Sequence, residues 1–418
     1  MLFILIYVVL VIVRPQEYPG IVEQQLPLLP AALICALIAW GISKHKSLRE
    51  PQYPLLLAFL AIMMISEVFN GWAGGAAEQL SQFAPTVAAF VLLSNASWTQ
   101  RRVLIVMAVM TLCACVLAAH SVQQATTGMG WTETPPQEDG RIQYIGIFSD
   151  PNDIGLLFVS VLPMAFYLSS RGGLLGLLRL FWLAAAALLL YGVYLTSSRG
   201  ALLAVVFMAG VFVWLRRGMV TAALIGVGAL GGISLLPSRL QEIDASESSA
   251  AGRVDAWYEG LQMFQSQPIF GVGAGNFADY NELTAHNSFV LVLAETGIVG
   301  FTVWMAFVGY CFWMMYTLYR HQPELPDAAS EASWNVERAL GGTLLVALCG
   351  FFAAAFFLSR SYVIILYFTA ALVVGEYTGA RRRFPSLPEF RLSNDIGRWL
   401  IVSIVSVIVL YIVVRALL

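Results

Sequence analysis

The chain has 418 residues, of which 59% are hydrophobic and only 11% charged, against about a quarter charged in ordinary soluble domains. That composition excludes a water-soluble globular fold, and a net charge of -2 offers no basic field for nucleic acid. The expected fold class is all-α, a polytopic integral membrane protein forming a single membrane domain over residues 1–418 and surrounded by membrane lipids.

A spanning helix needs about 20 mainly apolar residues, because each advances about 1.5 Å across a hydrocarbon core of about 30 Å. In chain order the candidate spans are 2–13, 26–42, 54–70, 83–95, 101–121, 152–169, 177–195, 200–216, 218–236, 297–319, 339–357, 361–378 and 398–417. Thirteen transmembrane helices are expected, or twelve if the short first run or the weak fourth run stays out of the count. The first run lacks a basic leader and is followed by Arg14-Pro15, so it reads as a retained helix and not as a removed signal peptide. Cys35, Cys113, Cys115, Cys311 and Cys349 all fall inside apolar runs, which argues against structural disulfides and zinc.

Lys and Arg sort unequally between alternate loops. Sixteen lie in one set, which includes Lys44, Arg101, Arg171, Arg216, Arg320 and Arg381, and six lie in the other, namely Arg14, Arg141, Arg199, Arg239, Arg253 and Arg360. Short cytoplasmic loops retain positive charge, so the first set and the N-terminus are expected to be cytoplasmic. The polar segments 122–151 and 237–286 then face outward. The second is expected as an extramembrane loop inserted between spans, and within it Val254, Trp257, Tyr258, Leu261 and Phe264 form one apolar stripe. That stripe predicts an amphipathic helix over 253–266, lying in the plane of the membrane surface and ended by Pro268.

Four short signals fall on the outward side. The first is Thr196-Ser197-Ser198-Arg199-Gly200, a tight connection between spans. An arginine at a span end often snorkels to the interface, but this is the side on which the chain otherwise avoids positive charge. Gly252-Arg253-Val254-Asp255 opens the predicted in-plane helix. There a guanidinium beside unpaired N–H groups would make an anion site, the alternative being a surface pair with Asp255. Pro268-Ile269-Phe270-Gly271-Val272-Gly273-Ala274-Gly275 misses the dinucleotide-binding spacing and reads as a turn that permits close backbone approach. Finally, Thr284-Ala285-His286-Asn287-Ser288 marks re-entry into the membrane. His286 is the one histidine beside the other signals, and its imidazole is suited to accept a proton from a sugar hydroxyl. Asp150-Pro151-Asn152-Asp153 reads as a helix start. Glu295, nine residues after His286 and on the opposite helix face, reads as structural.

Taken in order, the Asp-Pro-Asn element, Ser-Arg-Gly, the Gly-Arg start of the outward loop, Pro-Ile-Phe-Gly-Val-Gly, and His-Asn-Ser-Phe followed by Glu295-Thr296-Gly297 resemble the O-antigen ligase and polymerase superfamily of bacterial envelope enzymes. By motif the resemblance covers about residues 145–300. It implies a glycosyltransferase of the inner membrane with a periplasmic active site, taking a glycan from undecaprenyl diphosphate. Arg199 and Arg253 match the arginines that engage the diphosphate, and His286 matches the proposed base. Arg141 and Arg360 are added as further diphosphate candidates from their outward position alone.

The residues fit that chemistry. Two guanidiniums can stabilise the charge growing on a diphosphate leaving group, so neither metal nor cofactor is required. With His286 taking the acceptor proton, one displacement completes transfer with inversion. The leading expectation is an O-antigen ligase acting on a lipid A-core acceptor, ahead of a repeat-unit polymerase and a protein O-oligosaccharyltransferase of the same superfamily. A lipid or glycan transporter would instead place ionisable groups around a midplane cavity, whereas here they gather at one surface.

Overall fold

The computed structural model describes residues 1–171, 173, 176–234, 244–281 and 284–418, and every regular element among them is helical. α1 (Leu2–Ile12), α2 (Leu28–Ile42), α3 (Gln52–Phe69), α4 (Ala73–Ala96) and α5 (Gln100–Thr127) come first. After a long loop follow α6 (Pro151–Ser169), α7 (Leu177–Leu195), α8 (Arg199–Arg217) and α9 (Met219–Ser234). The rest comprises α10 (Asp244–Ser266), the short α11 (Phe277–Tyr280), α12 (Ser288–Arg320), α13 (Ala328–Ala355), α14 (Ile364–Arg383) and α15 (Leu392–Leu417).

Among the described residues, eight helices (α3, α5, α6, α7, α8, α12, α13 and α15) are both long and apolar enough to cross a bilayer. The protein is thus an all-α polytopic membrane protein. α1, α2 and the start of α9 are apolar but shorter. The run at 83–95 is the apolar second half of α4, whose first half is small and polar, and the run at 361–378 lies largely within α14, which ends in three arginines. Burial separates inner from outer helices. In α6, 89% of the apolar window is buried inside the protein, against 22% in α8 and 11% in α15. α6 packs among α5, α7, α8 and α13, while α8 and α15 leave most of their surface for lipid.

Basic side chains concentrate at one end of the bundle. There Arg383 pairs with Glu337, Gln100 donates to the same carboxylate at 2.6 Å, and Arg381 lies 3.6 Å from Glu50. Arg102 and Arg382 stack on the Trp98 ring at 5.4 and 5.6 Å. Pairing and stacking of this kind make charge tolerable next to an apolar bundle. The candidate residues gather at the other end.

The predicted span at 297–319 is the second part of a longer element. α12 starts at Ser288 and is interrupted at Gly297, where φ is 62° and ψ is -166°. An interruption frees backbone groups, which must find partners at this depth. The glycine turn provides them: Val272 N–H donates to Ala294 O at 3.0 Å and Ile298 N–H to Pro268 O at 2.9 Å, with a further bond from Gly273 N–H to Glu295 O at 3.2 Å. The two backbones approach so closely that a Cβ on Gly271 would lie 2.3 Å from the Glu295 carbonyl carbon, and one on Gly297 would lie 2.4 Å from that of Ile269. Both glycines also have positive φ. Gly271→Ala and Gly297→Ala are therefore each expected to cost about 3 kcal/mol or more, seen as a lowered thermal midpoint of the purified protein. Gly210→Ala, whose Cβ meets nothing within 4 Å, should leave the midpoint unchanged or slightly raised.

Two expectations for the 237–286 loop need correction, and its first residues, 237–243, lie outside the described residues. The amphipathic helix is longer than 253–266, beginning at Asp244. Arg253 therefore sits well inside α10, and the unpaired N–H groups of a helix N-terminus are not beside it. Nor does the apolar stripe face lipid headgroups. Trp257 and Leu261 are buried, Trp257 packs edge-on against Phe356 at 5.6 Å, and α10 lies on α12 and α15. Protein covers the stripe because α12 offers a complementary surface, where Gly260 makes room for Val290 and Phe277. α10 ends at Ser266, ahead of Pro268.

Candidate functional site

The site is assembled from helix starts. Asp150 caps α6, its Oδ1 accepting from Asn152 N–H at 2.8 Å and from the Asn152 amide at 2.9 Å. Ser198 caps α8, accepting from Ala201 N–H at 3.3 Å, and this makes Arg199 the first residue of that helix. The preceding Ser197 has φ 50°, so the chain turns sharply between α7 and α8. Gly155 of α6 brings the two helix starts together, since a Cβ there would lie 2.8 Å from Ala201 Cβ. Asn287 caps α12, accepting from Phe289 N–H at 2.9 Å and Val290 N–H at 3.1 Å. His286 therefore stands just before the cap, with φ 47°.

Arg141 reaches across from the loop between α5 and α6. Its Nε donates to Thr196 O at 3.0 Å and its Nη2 to Asn152 Oδ1 at 3.0 Å, so neutral acceptors fix its direction and leave its charge uncompensated by these contacts. Arg253, half-buried on α10, is close enough to Arg199 and Arg141 to feel both. Burial first, then these two like charges, pull its pKa below the ordinary arginine value. An anion placed beside Arg253 would relieve both effects, as perturbed groups at binding sites commonly require.

The imidazole of His286 lies within the field of the same group. Its pKa is lowered by burial, then by Arg253, while Asp150 opposes the shift and Arg360 adds to it. Arg360, in the loop between α13 and α14, differs from the other arginines. It forms a two-pronged pair with the buried Asp153, with Nη2 to Oδ2 at 2.7 Å, and lies 3.9 Å from Asp150. Burial works against its charge, but the two carboxylates more than offset that and hold its pKa above the ordinary value.

All five residues singled out from the sequence, Arg141, Arg199, Arg253, His286 and Arg360, are thus brought to one end of the bundle from five separate segments. The sequence reading missed what supports them. Asp153 reads as a helix-start residue, yet its carboxylate belongs to Arg360. Glu67 gave a signal, as a lone carboxylate in the apolar run 54–70. It is buried and accepts from Asn276 at 3.2 Å, while neighbouring Ser66 donates to Phe270 O at 2.6 Å and Asn70 to Gly271 O at 2.9 Å. The end of α3 therefore pins the glycine turn. Glu295 accepts from Tyr362 OH at 2.7 Å and from Phe277 N–H at 3.3 Å, a structural use of its carboxylate.

Comparison with known proteins adds an independent finding. Residues 184–305 match the O-antigen ligase family, a stretch that includes Arg199, Arg253 and His286 but not Arg141 or Arg360. No individual curated protein matches the chain. Residues 184–305, with the ordered motifs that run through them, are thus similar to the O-antigen ligase family, a likeness that covers less than a third of the chain.

Proposed function

We propose that the protein transfers O-antigen polysaccharide from undecaprenyl diphosphate to the lipid A-core oligosaccharide, working at the periplasmic face of the bacterial inner membrane. The observation that carries this reading is the meeting of Arg253, whose charge burial and the nearby Arg199 and Arg141 disfavour, with a histidine whose neutral form is favoured. Arg199 and Arg253 bind the diphosphate, with Arg141 beside them. As the acceptor hydroxyl attacks the anomeric carbon, the bond to the diphosphate oxygen breaks and its electron pair leaves with undecaprenyl diphosphate. The hydroxyl proton passes to His286. Attack opposite the leaving group inverts the anomeric centre, and the arginines supply the positive charge that such a leaving group needs. The donor is already activated, so no nucleotide enters the reaction.

Deletion of the gene followed by gel analysis of lipopolysaccharide and of carrier-linked glycan tests this. Long polymer stranded on the carrier, with unsubstituted core, is the expected result. Core bearing a single repeat unit would assign a polymerase instead, and unchanged glycans would overturn both.

A further inference from the structure

His286 is held in a backbone conformation that residues other than glycine rarely adopt, with φ 47°, and such a conformation persists only where its surroundings enforce it. The enforcing contacts lie on both sides of it. Before it, Thr284 Oγ1 and Ser359 Oγ are 2.6 Å apart. After it, Ser288 Oγ donates to Leu358 O at 2.7 Å and accepts from Arg360 N–H at 2.9 Å, while Ser361 Oγ donates to Ser288 O at 2.7 Å. The two ends of the segment 284–288, Thr284 and Ser288, are thus tied to the segment 358–361. That second segment is in turn fixed to the start of α6, because the Arg360 side chain grips the buried Asp153 with both prongs. Neither 358–361 nor Asp153 falls within the stretch that matches the family.

We propose that segment 358–361, anchored through the Arg360–Asp153 pair, is the device that positions His286, and that Arg360 acts through this scaffold and does not bind the diphosphate. A guanidinium already committed to one carboxylate and lying near a second has little charge to offer a further anion. The Arg141 side chain stands in contrast, donating to the neutral acceptors Thr196 O and Asn152 Oδ1. Arg360 and Asp153 are therefore positioning residues. The inference rests on the transferase reading for its kinetic consequence, but its structural core can be tested without any turnover.

The test uses the purified full-length chain with three readouts: binding of undecaprenyl diphosphate, rate of glycan transfer, and the rate at which diethyl pyrocarbonate modifies His286, followed by mass spectrometry. Arg360→Gln and Asp153→Asn should each lower transfer about 10²-fold, as a misplaced catalytic group does. Undecaprenyl diphosphate affinity should stay within about threefold of the parent, and modification of His286 should accelerate as the segment loosens. The double variant should be no worse than either single one, because both break the same pair. Arg253→Gln, by contrast, should weaken undecaprenyl diphosphate binding directly. If Arg360→Gln weakens that binding as much as Arg253→Gln while Asp153→Asn changes little, Arg360 is a ligand and the proposal is overturned. Should the buried-pair variants fail to fold, Ser359→Ala removes a single stitch, and unchanged His286 reactivity there also overturns it. A parent protein that does not bind undecaprenyl diphosphate would defeat the transferase reading alone, leaving the positioning role to be decided by the His286 reactivity.

Discussion

Arg253→Ala is expected to lower glycan transfer by about 10² to 10³-fold while the protein still inserts and remains stable. The magnitude follows from the role. A charged donor directed at a departing diphosphate counts most in the transition state, where negative charge has moved onto the leaving oxygen, and its loss falls on kcat as well as on binding. The stability half of the expectation is equally specific. Arg253 is half-buried beside Arg199 and Arg141, and both burial and repulsion disfavour its charge. Removing it relieves the folded state, so the thermal midpoint should be unchanged or raised. A structural arginine would behave in the opposite way, losing stability together with activity. Arg253→Lys should recover only part of the rate, since an ammonium keeps the charge but not the planar pair of donors that matches phosphate oxygens. Normal surface lipopolysaccharide from cells carrying only Arg253→Ala would sink the assignment.

These expectations concern residues that could be found without a structure, and the reason is physical. The bilayer penalises unpaired charge, so an arginine on the side that avoids positive charge stands out in the sequence itself. Arg199, Arg253 and Arg360 were all visible in this way. The start of α6 was visible too, because caps are local: Asp150 bonds only two residues ahead of itself. What stayed hidden depends on contacts between distant segments. Arg360 reads from the sequence as one more outward cation, and only its pairing with Asp153, 207 residues away, separates it from the others. The break in α12 is of the same kind. Gly297 carries no mark that distinguishes it from a helical glycine until the turn 268–273 lies against it. The start of α10 was misjudged for a different reason. The stretch ahead of Arg253, Ala245-Ser246-Glu247-Ser248-Ser249, is polar, so it contributes nothing to an apolar period although it is helical.

His286→Ala is expected to abolish transfer while leaving undecaprenyl diphosphate binding intact, and the pH dependence of the parent enzyme should identify the imidazole. Burial and Arg253 lower the pKa of His286 from its ordinary value near 6.5, so the neutral, proton-accepting form dominates at pH 7. The rate depends on that form, so kcat/KM should be level at neutral pH and fall only as pH drops through the lowered pKa of the free enzyme. Removing the positive charge in Arg253→Gln makes the imidazolium less unfavourable and raises the pKa. The acid limb of the residual activity should accordingly move to higher pH. Donor binding acts in the same direction, because a diphosphate placed among the arginines neutralises the charge that depresses His286. The acid limb of kcat should therefore lie at higher pH than that of kcat/KM in the parent, and the gap should shrink in Arg253→Gln, where less charge remains to be neutralised. A profile flat through the acid range in both parameters would show that no histidine proton transfer governs the reaction. The convergence of the arginines would then stand as a binding site alone.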